Sequence, residues 1–71
     1  MQKIYKVYTT DIWETITSER IEEYFSTLEK ALEYIKKEYP YWTLREGTEY
    51  KKVYEHEEAQ FYVVISEIDV K

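Results

Sequence analysis

The chain has 71 residues, a formal net charge of −5 and no cysteine, which excludes a disulfide framework, a thiolate metal site and a thiol nucleophile. Its acidic balance argues against a general binder of phosphate backbones, which needs a basic stripe. One domain is expected, near the lower limit at which a chain can bury a core unaided.

The first residues, "MQKIYKVYTTDIWE", hold no apolar stretch of signal-peptide type, and no apolar run approaches the roughly 18–20 residues that span a bilayer. Neither secretion nor a membrane partner is expected, and a cysteine-free chain suits the cytoplasm. A single glycine and a single proline argue against flexible linkers and low-complexity tails.

In chain order, "KIYKVYTT" (3–10) alternates aromatic and branched residues and predicts a first strand. "TDIWETITS" (10–18) fits a loop, or a hairpin extension that uses Trp13, Thr15 and Ile16. The next stretch admits two readings. As one long helix, Ile21, Phe25, Leu28, Leu32, Ile35 and Tyr39 recur at spacings of three and four. Against this, Ser26-Thr27-Leu28-Glu29 is a capping box, which marks where a helix begins. "RIEEYF" then reads as a strand with Ile21, Glu23 and Phe25 on one side and Glu22 and Tyr24 on the other. The expectation is a strand over 19–25 and a helix of about 13 residues from 27. Lys36 and Lys37 complement the dipole of its last turn, and Pro40 stops it. "YWTLREGT" (41–48) reads as a connection turning at Gly47. Residues 49–55 and 59–70 read as the third and fourth strands, a hairpin joined through "HEE". The order ββαββ predicts an α+β domain, one helix on one face of a mostly antiparallel four-stranded sheet.

The fourth strand poses a surface problem. Phe61, Val63 and Ile65 alternate with Tyr62, Val64, Ile68 and Val70, so it is apolar on both faces and needs cover on both. Leu28, Ala31, Leu32 and Ile35 of the helix cover one. The other is expected to expose Tyr62, Val64, Ile68 and Val70, with Trp13, Trp42, Tyr50 and Tyr54 as further contact residues. A twofold homodimer through this surface is one solution, since symmetry lets a patch cover itself. The alternative is that Trp13, Tyr41, Trp42 and the 41–48 loop fold over the face within one chain.

No motif carries catalysis. His56 has no second histidine four residues on, where Gln60 stands, and a full metal site needs three or four ligands. Paired carboxylates such as Glu22/Glu23 and Glu57/Glu58 fit a solvated surface better than a cleft. One glycine cannot build a phosphate cradle. Neither a cofactor nor an enzyme is expected, and a nucleic-acid groove is disfavoured although Lys51 and Lys52 lie beside Tyr50 and Tyr54.

Lys6-Val7-Tyr8 followed by Phe25, Ser26, Glu29, Lys30, Ala31, Tyr34 and Ile35 resembles a "KVY … FSxxEKAxxYI" pattern in small phage and mobile-element proteins of Gram-positive bacteria. These are similar to short phage proteins that block bacterial immunity, the Hachiman inhibitors among them. The resemblance implies a phage-encoded protein that occludes a surface of a host defence protein, acting in the cytoplasm of an infected host. Tyr and Trp, the usual interface anchors, are abundant. Two other functions are open. One is an acidic DNA mimic, weakened by ten interspersed Lys and Arg residues. The other is a sponge for a nucleotide signal, with aromatics on the base and Lys51, Lys52, Arg20 or Arg45 on phosphate.

Overall fold

A computed structural model describes residues 2–70. Strand β1 (Gln2–Asp11) is followed by a short 3-10 turn (Ile16–Ser18), β2 (Arg20–Phe25), helix α1 (Leu28–Glu38), β3 (Thr43–Gly47), β4 (Lys51–Glu55) and β5 (Phe61–Val70). The strands form one antiparallel sheet in the order β2-β1-β5-β4-β3, with α1 against one face.

The fold is α+β with a strand at 20–25, as the sequence indicates, but the sheet has five strands and the order is ββαβββ. The additional strand, β3, lies within the stretch that reads as a connection. "TLREG" has one large apolar residue and no alternation, because β3 is an edge strand exposed along its whole length. Gly47 ends this strand, and the turn to β4 is instead held by Thr48, whose amide donates to the Lys51 carbonyl at 2.8 Å.

The helix cap also differs by one residue. Phe25 still pairs with Tyr5, so the chain leaves the sheet only at Ser26. Thr27, in extended conformation, becomes the N-cap, and its hydroxyl accepts from the Lys30 amide at 3.2 Å. Lys30 cannot return the favour as a glutamate would, so the reciprocal box at Ser26–Glu29 is not formed.

The helix side holds the larger core: Val7, Ala31, Ile35, Val63 and Ile65, ringed by Tyr5, Phe25, Leu28, Leu32, Tyr34, Tyr39, Trp42 and Tyr54. Trp42 knits it together, packing edge-on to Tyr39 with centroids at 5.2 Å and tilted against Phe61 at 5.1 Å.

The opposite face carries a second core of Tyr8, Val53 and Val64, with Tyr62 packed beside it. Val64 is 0% exposed within this single chain. The expectation that Val64 lies open is thereby corrected. Two tyrosine rings flank the valines and are themselves capped by cations. The Lys6 ammonium lies 4.7 Å from the Tyr8 ring centroid, and the Arg45 guanidinium 5.1 Å from that of Tyr62. From the β1–β2 connection, Glu14 reaches past β5 to pair with Lys51 of β4 at 3.1 Å. The cover comes from the 12–18 connection and from long charged side chains, Arg45 of the 41–48 segment among them, whereas Trp42 packs on the helix side and Tyr41 stays exposed.

A charge at Val64 should therefore unfold the chain rather than split an assembly. An unpaired buried carboxylate costs several kcal/mol, a large part of the roughly 5–15 kcal/mol that holds a small domain. Circular dichroism should show Val64→Glu unfolded at every protein concentration. Val70→Glu, at an exposed position, should stay within about 0.5 kcal/mol of wild type.

Candidate functional site

The β1–β2 connection is built by hydrogen bonds rather than by apolar packing. Asp11 Oδ1 accepts from the amides of Trp13 at 3.1 Å and Thr15 at 2.9 Å. The Thr15 amide above all holds the Asp11 carboxyl below the usual carboxylate range. Ser18 Oγ donates to the Thr15 carbonyl at 2.7 Å and accepts from the Asp11 amide at 3.0 Å. Its one proton is thus spent, so buried Thr10 is the donor in their 3.0 Å contact. Glu14 takes a left-handed φ of 54°, uncommon for a residue with a side chain, and this aims its carboxylate at Lys51.

This pinned connection turns its large side chains outward. Trp13 is 78% exposed and Ile16 81%, with Ile12 also exposed. On the adjoining edge strand, Ile21 and Tyr24 pair with Tyr8 and Lys6 and so face away from the helix, both exposed. Ile21 and Phe25 end on opposite faces because β2 carries a bulge. Val7 pairs with Glu23 and Tyr8 with Ile21, leaving Glu22 as the extra residue.

The bulge delivers Glu22 to the helix side. Its Oε1 accepts from the Tyr34 hydroxyl at 2.7 Å, and its Oε2 accepts from the Tyr39 hydroxyl. Both phenols are pushed well above their ordinary range. For Tyr34 the bond to Glu22 is the main cause and burial the second; for Tyr39 burial leads and the bond follows. Beside this cluster lies an open groove of about 440 Å³. Thr9, Arg20, Glu22, Tyr39, Gln60 and Phe61 are among its lining residues.

The residues singled out from sequence do not share one surface. Trp42 and Tyr54 pack into the helix-side core, Tyr62 and Val64 belong to the opposite one, and Ile68 is half-buried. Trp13, Tyr50 and Val70 are exposed. Sequence reasoning passed over Ile12, Ile21, Tyr24 and the groove. The two exposed isoleucines look like ordinary core residues, and only the bulge and the polar turn show otherwise. His56 serves the β4–β5 turn: its Nδ1 accepts from the Glu58 amide at 3.1 Å, and its ring leans on Trp42. Among the described residues no three His, Asp or Glu side chains gather as a potential metal-binding group, and no helix is long and apolar enough to cross a membrane.

No protein-family model, curated protein or solved structure matches the chain significantly.

The Glu22 cluster gives a pH-dependent signature. A phenol whose pKa is raised by folding lends stability that is complete below its unfolded value, about 10, and lost as pH climbs through the folded value. In an ultraviolet titration, Tyr34 and Tyr39 should stay protonated where free tyrosine ionises. Glu22→Gln, which offers one oxygen instead of two and no charge, should move that late phase to lower pH. A titration curve unchanged by the substitution would contradict the arrangement.

Proposed function

We propose that this chain is a small phage-encoded binding protein that inhibits a bacterial anti-phage defence protein by occluding part of its surface. The observation that carries the reading is the outward-turned run Ile12, Trp13, Ile16, Ile21 and Tyr24 on the 12–18 connection and the β2 edge. Contiguous exposed apolar groups mark interaction surfaces, and Trp and Tyr are their usual anchors. The polar turn fixes Trp13 and Ile16 in advance, which lowers the ordering cost of association. Strand β2 is also an edge of the sheet, along which an extended segment of the partner can pair once the Tyr24 amide gives up its 3.0 Å bond to Glu23 Oε1. The class of partner rests on the resemblance of the Phe25–Ile35 region to phage proteins.

The test is restoration of plaque formation. Produced in bacteria that each carry one defence system, the wild-type chain should restore infection in at least one background. A Trp13→Ala, Ile16→Ser double variant should keep the wild-type melting temperature, because both side chains are already exposed. It should bind the purified defence protein at least tenfold more weakly, as expected when an aromatic anchor is truncated. Restoration in no background, or equal binding by the variant, would contradict the proposal.

A further inference from the structure

The groove at the end of α1 suits a small ligand, and its lining is chemically divided. Phe61 and Tyr39 supply flat aromatic wall, stiffened by Trp42 packed against both. Glu22 supplies carboxylate acceptors held in place by two phenols. Arg20, in β2, supplies a cation. The ion pairs among the described residues join Lys3 to Glu67, Arg45 to Glu55 and Lys51 to Glu14, so the Arg20 guanidinium is left for a ligand. At about 440 Å³ the space falls within the usual range for small-molecule sites.

A ligand that matches this lining has a flat ring, a hydrogen-bond donor for the carboxylate and an anionic group for the guanidinium. We infer that the groove binds a nucleoside monophosphate whose base carries an exocyclic amine. The base stacks on Phe61 and Tyr39, its amine faces the acceptors of Glu22, and the phosphate meets Arg20. With one guanidinium beside the carboxylates of Glu22 and Asp11, a single phosphate meets less repulsion in the groove than a triphosphate does. Asp11 and Ser18 border both this groove and the connection that carries Trp13 and Ile16, but neither Trp13 nor Ile16 lines it and the inference does not rest on the occlusion reading.

Two-dimensional NMR of the labelled chain tests it, with adenosine monophosphate, uridine monophosphate, adenosine triphosphate, adenosine, inorganic phosphate and lysine amide as probes. Adenosine monophosphate should shift the amides of Arg20, Gln60 and Phe61 and bind more tightly than each of the other five. Arg20→Gln, at an exposed edge position, should leave the spectrum otherwise unchanged and weaken binding roughly tenfold or more, as loss of a charge-assisted bond does. Four results would overturn the inference: no shift with any nucleotide at millimolar concentration, equal affinity in Arg20→Gln, uridine monophosphate or adenosine triphosphate binding as well, or tighter binding of lysine amide.

Discussion

Strand β5 sits in the middle of the sheet with Val63 and Ile65 on one face and Val64 on the other, all essentially removed from water. A strand apolar on both sides demands two layers of cover, and a chain of this size has residues for one helix only. Everything distinctive follows from how the second layer is made. Tyrosine rings, the stems of Lys6, Arg45 and Lys51, and a hydrogen-bonded turn replace a second apolar layer. Tyr and long cations suit this duty, since each buries an apolar body while its polar end stays wet. The many tyrosines are thus structural before they are available for contact.

Two bulges tie the sheet edges to this scheme. In β2 the extra residue is Glu22, which binds the hydroxyls of Tyr34 and Tyr39 and so fastens an edge strand to the helix. In β3 the register slips at Arg45, whose guanidinium then covers Tyr62 and pairs with Glu55 at 3.3 Å. A charge at a bulged edge also resists indiscriminate pairing of strands. The β2 bulge also turns Ile21 outward on the face away from the helix and places Glu22 at the groove.

Periodicity and end signals made the helix, the second strand and the final hairpin legible, because Pro40, the lysines of the last turn and the alternation in 61–70 act locally. Strand β3 was not legible, since an exposed edge strand needs no apolar pattern. The cap moved from Ser26 to Thr27 because pairing of Phe25 with Tyr5, a contact across the sheet, sets where the chain leaves it. Trp13 is exposed, as the sequence reading expects of a contact residue, but the setting of its backbone depends on Asp11, Thr15 and Ser18 bonding one another, which no spacing announces. The groove was not legible because its lining, Thr9, Arg20, Glu22, Tyr39, Gln60 and Phe61, comes from segments far apart in sequence that only the fold brings together.

Whether one chain closes both faces of β5 is tested most directly by the dependence of thermal unfolding on protein concentration. If the cover is intramolecular, the midpoint should stay constant from micromolar to millimolar chain. A midpoint that climbs steadily with concentration, as linkage requires when folding needs association, would show that a second copy completes the far face.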